Sequence, residues 1–101
     1  MFFITCFECC EESEFGFDGG VKKIVGFTDT LEEADEVVSE NQFDIHADTF
    51  MYVVIEEIEP GIYPTAEAEI WYAWSEEKNC FLPIERPSAA YGYSDFALDN
   101  T

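Results

Sequence analysis

Two kinds of side chain in this sequence have the type and spacing for chemistry: thiols near its start and carboxylates along its whole length. Cys6-Phe-Glu-Cys9-Cys10 contains a C-x-x-C spacing, which with Cys80 or His46 would complete a soft four-ligand set for zinc. Two features oppose that use. Cys6 and Cys9 face opposite sides of a regular strand, and no glycine lies between them to shape a metal-binding knuckle. A redox pair needs a helix N-terminus to lower a thiolate pKa, and the surrounding residues read as strand. The expectation is buried free thiols acting as small hydrophobes, with no metal and no other cofactor. His46 lies between Asp44 and Asp48, a setting able to hold an imidazolium or build a hydrolytic site, although a loop or cap residue is the plainer reading. The acid-rich stretch Glu11 to Asp18 is not an EF-hand and would take up calcium only weakly.

Nothing in the chain matches G-x-S-x-G, a P-loop, H-E-x-x-H or G-x-G-x-x-G, and Gly19-Gly20 precedes a strand rather than a helix. With 23 Asp and Glu present, some pair always lies at general acid/base distance, so proximity alone carries no information. A non-enzymatic role is expected.

The carboxylates themselves are the stronger signal. Against them stand four Lys and Arg, a net charge of −19, in a chain that is 48% hydrophobic and 17% aromatic. Acidic disordered chains lack aromatic and β-branched residues, so this one folds. Self-repulsion opposes folding, and a chain that carries such a charge and still packs a core uses it on something outside itself. A polyanion is repelled by nucleic acid and by the anionic inner leaflet of a membrane, which leaves a basic protein surface as the partner. The start of the chain has no basic region before its apolar residues, and Glu8 interrupts them, so neither a signal peptide nor a membrane span is read there. A cytoplasmic location with reduced thiols is expected.

The elements that position these groups follow from pattern. Phe2 to Cys10 and Val21 to Thr28 are rich in aromatic and β-branched residues and flank a Gly- and Asp-containing stretch, which predicts a long-looped hairpin. Thr30-Leu-Glu-Glu33 has capping-box form, and Leu31, Ala34, Val37 and Val38 make a narrow apolar stripe ending near Asn41-Gln42. Residues 50–59 form a nearly continuous apolar run, a central strand stopped by Pro60-Gly61. Ile70, Tyr72 and Trp74 alternate with Trp71 and Ala73, and a turn at 75–79 leads into Cys80 to Ile84. The order ββαβββ predicts one α+β domain over residues 1–101: an antiparallel sheet of about five strands with one amphipathic helix on one face. Residues 86–101 form a tail that either docks or stays flexible.

On these elements the acids fall into rows. Carboxylates two apart on a strand stand ~6.6–6.8 Å apart on one side, about two axial steps of ~3.4 Å between phosphate charges along a DNA strand. Glu57/Glu59, Glu67/Glu69 and Glu12/Glu14 are such pairs. On the helix, Glu32, Asp35, Glu36 and Glu40 are neighbours at ~5–6 Å, each contact costing a few tenths of a kcal/mol. If the helix covers Ile70, Tyr72 and Trp74, then Trp71 stands on the open face beside Glu67 and Glu69 as an aromatic anchor, unless the tail packs over it.

Tyr52-Val-Val-Ile-Glu-Glu-Ile-Glu-Pro-Gly-Ile-Tyr-Pro64, Glu69-Ile-Trp-Tyr-Ala-Trp-Ser-Glu-Glu-Lys-Asn79, Ile84-Glu-Arg-Pro87 and Phe96-Ala-Leu98 resemble a group of small prophage-encoded and gut-bacterial proteins, over residues 50–98. That group has no assigned activity, so no functional residue carries over. In size and charge alone the chain is similar to phage anti-defence proteins, including anti-CRISPR proteins and DNA mimics. Together these likenesses imply an inhibitor, acting in the host bacterial cytoplasm, that occupies a nucleic-acid-binding site such as that of a CRISPR effector. Its expected contact residues are Glu32, Asp35, Glu36, Glu40, Glu57, Glu59, Glu67, Glu69 and Trp71. Three alternatives stand beside it: an acidic interaction module anchored by Trp71, Tyr63 and the C-terminal aromatics; a small metal-binding protein; and a soluble acidic protein, for instance from a salt-adapted cell, with no site at all.

Overall fold

The computed structural model describes residues 1–13, 16–18, 20, 22–42, 45, 50–59, 66–88 and 96, with the side chains of 12, 13, 16–18, 66 and 67 outside that description. In chain order the elements are β1 (Phe2–Phe7), β2 (Glu11–Ser13), β3 (Gly16–Asp18), β4 (Lys22–Thr28), α1 (Leu31–Ser39), β5 (Tyr52–Ile58), β6 (Ala66–Ser75) and β7 (Cys80–Ile84). Five of the strands form one antiparallel sheet in the order β4-β1-β5-β6-β7. This is the expected α+β fold in the expected order. One addition appears within the loop between the first two strands of the sheet, where β2 and β3 pair as a small hairpin of their own.

The continuous apolar run of β5 places it in the middle of the sheet. Val53, Val54 and Ile55 are all buried, so both faces of this strand are covered. On one face α1 closes a core of Ile4, Cys6, Val53, Ile55, Tyr72 and Phe81 with its own Ala34 and Val38. On the other, Phe7, Val54 and Trp71 pack around Phe96. Each fully buried large side chain in these cores contributes about 1.5–3 kcal/mol.

α1 begins where Thr30 takes an extended conformation and its Oγ1 accepts a hydrogen bond from the Glu33 N–H at 3.2 Å. It ends at Asn41, whose positive φ of 49° is the left-handed conformation that closes helices, with its N–H donating to the Val38 carbonyl at 3.1 Å. Ahead of β4, Gly20 has φ 66°, and a Cβ there would stand 3.0 Å from the Cβ of Glu8, so this turn needs glycine on both counts.

Both edges of the sheet are blunted. β4 carries Lys22 and Lys23 and a register shift opposite Ile4/Thr5, and β7 carries Pro83, which has no N–H to offer a further strand. No described helix is long and apolar enough to cross a membrane.

Candidate functional site

α1 owes its position to a few buried contacts and leaves nearly everything else to solvent. Val38 and Ala34 are fully buried, and the Tyr72 hydroxyl, rising from β6 through the core, donates to Asp35 Oδ1 at 2.5 Å. Ser39 Oγ donates to the same oxygen at 3.2 Å. Burial, and then the Asp35 carboxylate beside it, push the Tyr72 hydroxyl well above the ordinary tyrosine range, so it remains a donor at neutral pH. Glu32, Glu33, Asp35, Glu36 and Glu40 are exposed, and the last turn contains no basic residue. The pairs Glu32–Asp35, Glu32–Glu36, Glu33–Glu36 and Glu36–Glu40 stand at i, i+3 or i, i+4, and each costs a few tenths of a kcal/mol. Glu36 and Glu40 also sit at the negative end of the helix dipole. The helix tolerates this because its inner face is fixed to the sheet.

The strand acids do not extend that row. Residues alternate sides along β5 and β6, and the register sets Glu57 opposite Ala68 and Glu56 opposite Glu69. Glu57 therefore shares the helix-bearing side with Ala68 and Ile70, whereas Glu69 shares the far side with Glu56 and Trp71. Glu59 is exposed but lies one residue beyond the end of β5, after a register shift between Glu57 and Ile58, so the expected Glu57/Glu59 ladder is broken by the end of the strand. Of the Glu67/Glu69 pair, the Glu67 side chain lies outside the description, as do Glu14, Tyr63 and His46.

Glu69 and Trp71 are adjacent on the far side, as expected, but neither is an open contact group. Trp71 is 2% exposed. Its ring is stacked on Phe7, with centroids 5.8 Å apart, and Phe96 stands edge-on to both at 5.4 Å. The expected exposed anchor is thus corrected to a core residue beneath Phe96, because the Phe96 ring fills the face that β1, β5 and β6 leave apolar. Glu69 Oε1 accepts from Trp71 Nε1 at 3.1 Å and pairs with Arg86 at 2.5 Å.

Sequence reasoning missed the polar clamp that holds this tail residue. Glu56 is fully buried, and its Oε2 accepts the Phe96 N–H at 2.9 Å, while Lys22 Nζ donates to the Phe96 carbonyl at 2.9 Å. A buried carboxylate is tolerated only when hydrogen-bonded, and here it is. The consequence for charge is that Lys22 and Arg86, two of the four cations, are held on the side of the sheet away from α1. Also missed was Phe27, at 61% the most exposed of the large apolar side chains described, which meets Phe3 at a centroid distance of 5.6 Å.

On the helix-bearing side an open notch of about 120 Å³ is lined by Phe2, Ile55, Glu57, the Ala68–Ile70 run of β6 and Leu31 from the first turn of α1. It is mostly apolar, and Glu57 and Glu69 are the acidic residues among its lining.

The four thiols are free. Cys6 is buried at the end of β1, and Cys9 and Cys10 follow the strand rather than lie on it. Burial pushes the Cys6 thiol up to about 12, and Cys10 likewise to about 12, the latter with a smaller contribution from Cys9. Both remain protonated at neutral pH, which disfavours them as nucleophiles. Among the described residues no group of three or more His, Cys, Asp or Glu has metal-holding geometry. Compared with known proteins, the chain matches no family model, no curated protein and no solved structure.

Proposed function

We propose that this chain is a non-enzymatic acidic binding protein that occupies a basic, nucleic-acid-binding site on a partner protein, with the outer face of α1 as its contact surface. The observation that carries this reading is the exposed row Glu32, Glu33, Asp35, Glu36 and Glu40, which has no cation on its own helix while Lys22 and Arg86 are engaged on the other side of the sheet. A helix held rigidly from beneath presents these charges in a fixed array, neighbours ~5–6 Å apart. A cleft built to bind phosphates attracts such an array and is blocked by it. Channels that hold nucleic acid by its backbone, as in CRISPR effectors and other nucleases, are basic clefts of this kind. The four free thiols fit a reducing cytoplasm.

The test has two stages. The immobilised chain is exposed to bacterial lysate, and the captured protein is then bound to labelled duplex DNA and challenged with free chain in a fluorescence anisotropy assay. The expected result is displacement of the DNA, weakened at least about tenfold by the triple substitution Glu32→Gln, Glu36→Gln, Glu40→Gln and falling steeply between about 50 and about 200 mM salt. A captured protein that holds DNA and the chain at the same time would refute the proposal.

A further inference from the structure

We infer that the notch between the start of α1 and the β5–β6 pair is a socket for a single arginine side chain of the partner, a deepening that rests on the acidic-face reading above. Its walls are mostly apolar: Phe2, Ile55, Ala68, Ile70 and Leu31, the last 37% exposed, with Glu69 also bordering it, its carboxylate engaged by Trp71 and Arg86. Its volume is about 120 Å³. The one acidic side chain on this side of the sheet that lines it is Glu57, half-buried, with no hydrogen bond or ion pair from any described residue. That combination selects the occupant. An apolar side chain would fill the space but strip water from Glu57 without replacing it, which is costly for a carboxylate. A small cation would pair with Glu57 and leave the walls wet. A long basic side chain satisfies both, its alkyl stem against the walls and its charged head on the carboxylate. Arginine is preferred to lysine because its planar fork pairs bidentately with a carboxylate and lies well against an aromatic ring, here Phe2.

Leu31 belongs to both the notch and α1, and Glu32 and Glu33 follow it directly. The socket therefore adjoins the acidic row. The row supplies long-range attraction and the socket supplies shape, which gives an otherwise generic polyanion a means of choosing among basic surfaces.

The experiment titrates the full chain with Nα-acetyl-arginine-N-methylamide at constant ionic strength, following methyl resonances by NMR, with the capped norleucine and alanine analogues as controls. Saturable shifts are expected at Leu31, Ile55, Ala68 and Ile70, larger for arginine than for norleucine and absent for alanine. Glu57→Gln is expected to weaken arginine binding at least about fivefold, and Ala68→Leu, which fills the notch, to abolish it. Because Glu57→Gln barely changes shape, it decides the matter if Ala68→Leu fails to fold. Equal response to norleucine, unchanged affinity in Glu57→Gln, or shifts confined to the α1 methyls of Ala34, Val37 and Val38 would each overturn the socket. The two proposals fail separately. In the unaltered chain, arginine binding without DNA displacement removes only the blocking role, and displacement unaffected by Glu57→Gln removes only the socket.

Discussion

At the scale of single residues, Glu56 and Phe96 show how a carboxylate becomes structural. Glu56 is one of two adjacent glutamates in Val54-Ile-Glu-Glu-Ile58, and only the strand's alternation sends it to the far side, where the Phe96 N–H meets it. Removing the ring should expose the core it covers. In a Trp74→Phe background, where Trp71 alone reports, Phe96→Ala is expected to shift tryptophan emission to longer wavelength, to increase quenching by acrylamide and to lower stability by about 3 kcal/mol, the low end for a buried Phe. Unchanged emission would mean that Phe96 does not cover Trp71 in solution. Cys6 allows a second prediction. Its thiol is held protonated by burial, with a pKa of about 12 against 9.0 for an unperturbed thiol. The folded state therefore binds this proton more tightly than the unfolded state, a contribution fully present below about 9 and lost as pH rises towards about 12. Under reducing conditions the urea midpoint should fall over that window, with Cys6 contributing at most about 1.4 kcal/mol for each pH unit. Cys10 and Tyr72 act in the same direction. Cys6→Ala should make the decline shallower while lowering stability overall, and an unchanged slope would show that the buried thiol is not the titrating group.

At the scale of elements, legibility in the sequence followed the range of the interaction. α1 was readable at both ends because its signals are local: Thr30 caps three residues away, and Asn41 closes the last turn. The central place of β5 was readable because a strand covered on both faces has no need of polar alternation. The side to which each acid points was less accessible. Two-residue spacing predicts a shared side only while a strand lasts, and β5 stops between Glu57 and Glu59. The same applies to β4, where the register shift opposite Ile4/Thr5 interrupts alternation and leaves Ile24 and Phe27 exposed. The clamp on the tail was invisible for a different reason. Its hydrogen bonds join residues 40 and 74 positions apart, and no local pattern marks Glu56 or Lys22 as their partners. Trp71 combined both situations: its side of β6 followed correctly from Ile70, Tyr72 and Trp74, but its exposure depended on a residue 25 positions later. The candidate site was thus legible where it rests on α1, and not where it rests on strand register.

At the scale of the whole molecule, the charge of −19 acts on folding and on binding with opposite signs, and salt separates the two. Within the fold, like charges on α1 repel one another, and the two cations held by the tail and by Glu69 lie on the other side of the sheet. Screening should relieve that repulsion, since the Debye length shortens from about 30 Å at 0.01 M to about 10 Å at 0.1 M. The melting temperature is therefore expected to rise by several degrees across this range, because about 1 kcal/mol corresponds to ~4–8 °C for a domain near this size. Binding to a basic cleft should weaken over the same range, since screening removes the attraction that drives it. The triple Gln variant of α1 removes three of the repelling charges, so it should melt higher than the parent at low salt and converge with it at high salt. An acidic surface serving only solubility would give the salt response of stability but no loss of binding in that variant. A melting temperature indifferent to salt, in the parent and in the variant alike, would mean that the row on α1 is not under electrostatic stress. The row's exposed charge would then carry no cost for a partner to relieve.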